Sequence, residues 1–234
     1  MFNQLLFTKP NPFDFKSIFG NMKSEWYYYV TLVAFIALFT LILLSIKKQR
    51  SLSLTKTQKI TLTSVLTALT VIANVFTFGP DNSKISLMPA SCFVAGYVLG
   101  PYLGFSVAFI GDLIAGIIAP QGAYNGIIAI ASSLWGLVPG IVYRYFKGNG
   151  YLKAVISFVV CFIVCSLGLN TLGMYLMYFR RSAKYTVYTY FLARLPIAAC
   201  MIIINTGLSV LLIPVLEKIK NRLSSMASVK CAKN

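Results

Sequence analysis

The sequence predicts an all-α integral membrane protein, and three observations carry that prediction. Of its 234 residues, 58% are hydrophobic and 14% aromatic, while 11% are charged; an ordinary soluble domain is roughly 25% charged. Seven apolar segments approach the roughly 20 residues a helix needs to cross about 30 Å of hydrocarbon. The charge is lopsided, with 21 Lys and Arg against 5 Asp and Glu, and histidine is absent. Without His no side chain titrates near neutrality by default, and few acids remain to act as bases or to hold a metal. A soluble globular domain is excluded, and an enzyme is disfavoured.

The first segment, Trp26 to Ile46, is uncharged, opens on Trp26-Tyr27-Tyr28-Tyr29 and closes on Lys47-Lys48. It reads as a membrane helix with an aromatic belt at one end and a basic stop at the other. Its apolar core is too long, and begins too late, for a signal peptide. A basic linker carrying Lys47, Lys48, Arg50, Lys56 and Lys59 leads to six closely spaced segments. These are Ile60 to Phe78, Ile85 to Leu99, Tyr102 to Ala119, Gly126 to Tyr143, Leu152 to Leu172 and Tyr188 to Pro214. The expected organisation is an arm and additional transmembrane helix over 1–50, a six-helix membrane domain over 51–222 and a cytoplasmic tail over 223–234. A Gly100-Pro101 turn joins the two short segments on either side of it. Twelve of the 16 glycines lie between Gly79 and Gly150, with GxxxG spacing at Gly100/Gly104, Gly122/Gly126 and Gly136/Gly140. Small residues so spaced let helix backbones approach closely in lipid.

Loop charge sets the expected orientation. With the linker cytoplasmic, 13 basic residues fall inside: five in the linker, three at Arg144, Lys147 and Lys153, and five after Pro214. Seven fall outside: Lys9, Lys16, Lys23, Lys84, Arg180, Arg181 and Lys184. The N-terminus is then outside, the C-terminus cytoplasmic and the protein multi-pass in the cell membrane.

The cluster Arg180, Arg181, Lys184 departs from that rule in the loop leading to the helix that carries Arg194. Positive charge there suits an anionic solute arriving from outside; hydration of the loop or contact with lipid phosphate accounts for it equally. Asp112, the one acid in the core segments, is costly in the bilayer unless partnered. At 1.5 Å per residue it lies roughly 12 Å below the outer surface, and Arg194 roughly 9 Å below it. The two either pair with each other or face a shared cavity. Asn74, Gln121, Tyr124, Asn125 and Asn170 fall in the same outer layer, whereas Asn205 is the exception in the inner third. A polar outer half over an apolar inner half describes a pocket open to one side, not a pore.

Five cysteines, without CxxC spacing, suit neither a disulfide framework nor a zinc site. No P-loop, HExxH or GxSxG motif occurs, and one intramembrane carboxylate cannot supply both halves of an acid/base pair. No cofactor is expected. A small membrane binding protein that relies on a separate motor fits these absences.

The stretch Ile85-Ser86-Leu87-Met88-Pro89, Gly96-Tyr97-Val98-Leu99-Gly100-Pro101, Gly104, Gly111-Asp112 and Pro120-Gln121-Gly122-Ala123-Tyr124 resembles the substrate-binding S components of energy-coupling factor (ECF) vitamin transporters, and within them the folate family. Leu169-Asn170-Thr171-Leu172 and Ala193-Arg194-Leu195-Pro196 look like that family's fifth and sixth helices, so the resemblance covers about residues 55 to 220. It implies a six-helix S-component bundle, here with one extra N-terminal transmembrane helix, that captures a vitamin from outside. It implies docking onto a transmembrane T subunit and two ATPase subunits through a small-residue face on the first core helix, matched here by Ser64 and Ala68. The lipid bilayer is the other partner, and nucleic acid is not one.

Folate chemistry is compatible with these residues. Asp112 can accept from the donor edge of the pterin, and Arg180, Arg181 or Arg194 suits the glutamate carboxylates. Tyr124, Tyr175 and Tyr178 are placed to wall the rings. The alternatives are the same scaffold with pantothenate, a queuosine precursor or a corrinoid, or a membrane interaction protein that transports nothing.

Overall fold

The computed structural model describes residues 11–14, 33, 37, 40, 56–78, 85–120, 124–176 and 187–231. Within these, the chain forms α1 (Lys56–Val75), β1 (Thr77–Phe78), β2 (Ile85–Ser86), α2 (Met88–Leu99), α3 (Pro101–Ile118), α4 (Gly126–Tyr145) and α5 (Gly150–Cys161). A π-helical stretch, Phe162–Asn170, then runs into α6 (Thr171–Met174), and α7 spans Val187–Cys231. Five spans are long and apolar enough to cross a membrane, with α2 a shorter apolar helix beside them. The extra helix expected over Trp26 to Ile46 lies outside the described residues apart from Val33, Ala37 and Thr40, which are helical.

The α1 helix shows how an apolar solvent selects conformation. Its hydroxyls turn back on the carbonyls one turn earlier, Thr63 to Lys59 at 2.7 Å, Ser64 to Ile60 at 3.0 Å, Thr67 to Thr63 at 2.8 Å and Thr70 to Leu66 at 2.8 Å. Each polar group is thereby satisfied inside its own helix. The outward residues Val65, Leu69 and Ile72 on α1 and Ile203, Leu208 and Leu211 on α7 are exposed and apolar, which is the surface a bilayer covers.

At the centre lies α2, every residue of which is buried except Val94. It touches α1, α3, α4 and α7. It turns into α3 through Gly100, whose φ of 87° is a region that side chains with a Cβ rarely enter. The sequence's glycine spacing is used here. A Cβ on Gly96 would strike the Gly136 carbonyl, one on Gly104 would sit 2.6 Å from the same oxygen, and one on Gly140 would strike Pro101. The GxxxG pairs Gly100/Gly104 and Gly136/Gly140 thus bring α2, α3 and α4 into backbone contact; Gly122 lies outside the described residues. On the other side of α2, Phe93, Tyr97, Tyr143, Phe158 and Trp135 pack as a connected group of rings, with Tyr97 and Tyr143 edge-on at 4.4 Å. Cys92, Cys161 and Cys165 are buried free thiols beside it.

Three features differ from the segments read off the sequence. The ends of the first two core segments are a strand pair, Thr77 opposite Ser86 and Phe78 opposite Ile85, because the chain leaves α1 after Val75 and regains helix only at Met88. The fifth segment is interrupted by the π-helical stretch, and there the Thr171 hydroxyl donates to the Ser166 carbonyl five residues back at 3.0 Å. The last helix runs on to Cys231, past the expected end at Pro214, since Pro196 and Pro214 are both accommodated within it.

Replacing Gly136 with alanine should lower stability in detergent by about 1–3 kcal/mol through overpacking against the Gly104 carbonyl. Gly207→Ala, at a position where an added Cβ meets nothing within 4 Å, should not. Thermal unfolding followed by circular dichroism measures both.

Candidate functional site

The helices do not end level. The amide of Asn74, one residue from the end of α1, donates to Asp112 Oδ1 at 3.1 Å, and the Ser132 hydroxyl donates to the same oxygen at 3.1 Å. From that level α3 continues six residues to Ile118 and α4 reaches back six residues to Gly126, a rise of roughly 9 Å. α1 and α2 stop at the level where α3 and α4 continue. Their ends, joined by the strand pair Thr77–Phe78 and Ile85–Ser86, form a floor beside the longer α3 and α4. Asp112 is half-buried, and two other helices bond to its carboxylate.

The floor is braced by Asn205 of α7, which is fully buried. Its Oδ1 accepts from Ala90 N at 3.3 Å, and its Nδ2 donates to the Ser86 carbonyl at 3.1 Å and the Met201 carbonyl at 2.9 Å. The first N–H groups of a helix have few partners within it; Ala90 N shares its proton between the Leu87 carbonyl at 3.2 Å and Asn205. Ser86 reinforces the junction, donating to the Ala73 carbonyl at 3.3 Å and accepting from Met88 N at 3.1 Å. Strand pairing and helix ends at this depth are tolerated in a bilayer only when buried in protein or lining a wet cavity.

The rim is built from α4, α6 and α7. Asn125 caps α4 by accepting from Ile127 N at 2.9 Å, and its amide donates to the Gly173 carbonyl at 2.9 Å, so it fastens α6 to α4. The ring of Tyr124 lies against Gly116 of α3. Burial, and after it the charge of Asp112, push the Tyr124 hydroxyl up, so it stays neutral. The Arg194 guanidinium donates to the Asn170 carbonyl at 3.2 Å and lies 6.0 Å from the Tyr190 ring centroid. That carbonyl belongs to the last residue of the π-helical stretch. The Asn170 side-chain oxygen is buried without a partner among the described residues. Tyr175 is half-buried at the end of α6.

Asp112 and Arg194 therefore do not pair with each other: among the described residues the acid is held by Asn74 and Ser132, and the arginine by a main-chain carbonyl. Eleven residues of α7 separate Arg194 from Asn205, roughly 16 Å along the helix, so one helix runs from rim to floor. Asn205, the apparent exception in the sequence, belongs to the same polar body as Asp112, because α2 begins at that depth. Ser132 and Ser86 were not singled out from the sequence; an isolated serine in an apolar helix gives no signal until its partner is known. Gln121, Tyr178, Arg180 and Arg181 lie outside the described residues. Among the described residues no cluster of acids, cysteines and histidines forms a metal site.

Residues 58–217 match the family model of the ECF transporter substrate-specific component. The chain belongs to this family. Its members are the binding subunits of transporters, not enzymes, and this S component is accordingly a multi-pass membrane protein. Its fold is similar to a crystal structure of FolT bound with folic acid, with a TM-score of 0.59 and 21% sequence identity over 70% of this chain and 97% of that one. No curated protein matches the sequence.

An Asn205→Leu variant of the S component would remove the donor to the Ser86 carbonyl and leave the Ala90 N–H only its bond to the Leu87 carbonyl. The expected loss is about 1–3 kcal/mol, read as a drop in detergent unfolding temperature.

Proposed function

We propose that this chain is the substrate-specificity subunit of an ECF importer that binds folate from outside the cell. The observation that carries the reading is the Asp112 carboxylate, oriented by Asn74 and Ser132 at the floor of a polar recess whose rim bears Arg194. A flat heterocycle with N–H donors matches the floor, and carboxylates match the rim, where Arg180 and Arg181 would add charge. Tyr124, Tyr175 and Tyr178 would wall the rings, and Gln121, Asn125 and Asn170 would line the upper part. The folic acid bound in the FolT structure supports the choice of ligand.

The recess would open outward, with the N-terminus on the same side and the C-terminus in the cytoplasm. Loop charge supports this orientation, and so does the hydrogen bond from Phe13 N to the Ile117 carbonyl, which brings the N-terminal arm to the recess end of α3. The binding domain would span 51–222, flanked by the arm and additional helix of 1–50 and the tail of 223–234. Translocation would be driven by a separate T subunit and two ATPase subunits. Their docking face would be Ser64 and Ala68 on α1. Both are exposed, and the serine hydroxyl is turned back onto its own helix, so the surface offered to a partner helix is small and apolar.

Detergent-purified protein should bind folate, and Asp112→Asn and Arg194→Ala should each weaken binding about tenfold or more, the effect of losing a hydrogen bond to a charged group. Affinity within about twofold of the parent in both variants overturns the assignment. Ala68→Trp should retain folate binding and lose co-purification with the T subunit and ATPases.

A further inference from the structure

The end of the bundle away from Asp112 carries a second polar surface. There α4 closes on Arg144 and Tyr145, and the chain turns through residues 146–149 into α5, which Asn149 caps by accepting from Tyr151 N at 3.4 Å. The Tyr143 hydroxyl donates to the Gly150 carbonyl at 2.6 Å and holds this corner together. A Cβ on Gly150 would lie 2.9 Å from Glu217 Oε1 and 3.5 Å from Ile213 Cγ2, so α7 packs directly against the start of α5. At that level α5 begins, whereas α7 runs on to Cys231. Along the projecting part of α7 is a cleft of about 520 Å³, lined by Pro214, Glu217, Lys218, Asn221 and Arg222. Spacings of three and four put Pro214, Glu217, Lys218 and Asn221 on one face of the helix, and the contact of Glu217 with Gly150 turns that face toward the corner.

Cations and apolar surface are interleaved here. Lys147, Lys218 and Arg222 are exposed; the Lys153 ammonium stands 5.6 Å from the Tyr143 ring centroid, and the Arg144 guanidinium 5.7 Å from that of Tyr145. Tyr145, Phe146, Tyr151 and Leu152 are exposed beside them, and on α7 so are Val215 and Ile219. Aromatic rings and cations mixed in this way mark the boundary between hydrocarbon and water. A soluble phosphate would satisfy the cations and leave the apolar side chains wet, whereas a phospholipid covers both.

We infer that the angle between α7 and the α4–α5 corner is a binding site for an anionic phospholipid. Lys218, Arg222 and the Asn221 amide take its phosphate, and Val215 and Ile219 lie along its acyl chains. Glu217 sets the site apart from a merely basic surface. Its carboxylate can accept from a headgroup hydroxyl, as in phosphatidylglycerol, but meets the second charge of a phosphomonoester as a like charge. Basic pockets beside membrane helices recognise lipid headgroups by this combination of cations and shape.

The test is native mass spectrometry of the full chain in mixed micelles containing phosphatidylglycerol, phosphatidic acid or phosphatidylcholine with the same acyl chains. Wild-type protein should retain phosphatidylglycerol about tenfold more than phosphatidylcholine, the scale of two cations at a membrane surface. Lys218→Gln and Arg222→Gln together should bring it down to the phosphatidylcholine level, and Glu217→Gln should raise phosphatidic acid to the phosphatidylglycerol level. All three side chains are exposed, so the variants keep the fold. Lys56→Gln with Lys59→Gln removes two cations from the start of α1, at the same end of the bundle, and should change nothing. Equal retention of phosphatidylglycerol and phosphatidylcholine by the wild type overturns the inference and needs no variant. An equal loss in the α1 and α7 variants would report net charge alone and overturn it too. Displacement of the lipid by millimolar glycerol 3-phosphate would make the cleft a soluble-phosphate site and remove the lipid assignment.

Discussion

The structure depends on four glycines at one place, where the backbones of α2, α3 and α4 touch. Lipid tails are as apolar as leucine, so a bilayer gives helices little reason to associate beyond packing and hydrogen bonds. Close packing therefore has to come from shape. Gly96, Gly104, Gly136 and Gly140 provide it by removing every atom that would hold the helices apart. With α3 and α4 drawn onto it, α2 is enclosed on all sides and keeps Cys92 and Phe93 wholly from the surface. A central helix of 12 residues is about 18 Å long, so α3 and α4 run on beyond the depth at which it starts.

That depth is lined by groups which hydrocarbon alone would reject. Asn74, Asp112 and Ser132 form one hydrogen-bonded unit, Ser86 and Asn205 another, and Asn170 with Arg194 a third. Each unit ties two or three elements together, so the polar residues hold the helices to one another. Asn205 and Asn125 use both ends of their amides on the protein, whereas among the described residues Asp112 is bonded through Oδ1 and Asn74 through its amide nitrogen. The Asn170 side-chain oxygen and the hydroxyls of Thr206 and Ser209 are buried without partners, and a membrane protein leaves few such groups for no reason.

Much of this was legible in the sequence because the bilayer constrains it so strongly. Apolar length and loop punctuation give most helix ends within a few residues, the end of α7 at Cys231 excepted, and the glycine spacing around Gly100 and Gly136 gives the contact surface. The polarity of Asn74, Asp112, Asn170 and Arg194 could be read directly, but the equal depth counted for them separates in the structure into Asn74 with Asp112 below and Asn170 with Arg194 above. The strand pair at Thr77 and Ser86 could not, since Phe76-Thr77-Phe78 and Ile85-Ser86-Leu87 are as apolar as the helices they interrupt. The π-helical stretch has no compositional mark. The partnership of Asp112 was the other gap. Counting from helix ends gives one approximate coordinate, and it cannot say which neighbours two charges face. Ser132 takes the acid and the Asn170 carbonyl takes the arginine, a choice fixed by rotation about each helix axis rather than by position along it.

The α7 helix has a mechanical consequence. Its 45 residues extend roughly 67 Å, more than twice the ~30 Å of hydrocarbon. Arg194 at the rim, Asn205 under the floor and the basic residues beyond Pro214 all ride on one rod. Its far end lies 26 residues past Asn205, roughly 39 Å. A tilt of about 10° about that fixed point moves Arg194 by roughly 3 Å and the far end by roughly 7 Å, so any adjustment where Arg194 meets Asn170 is more than doubled at the other end of the rod.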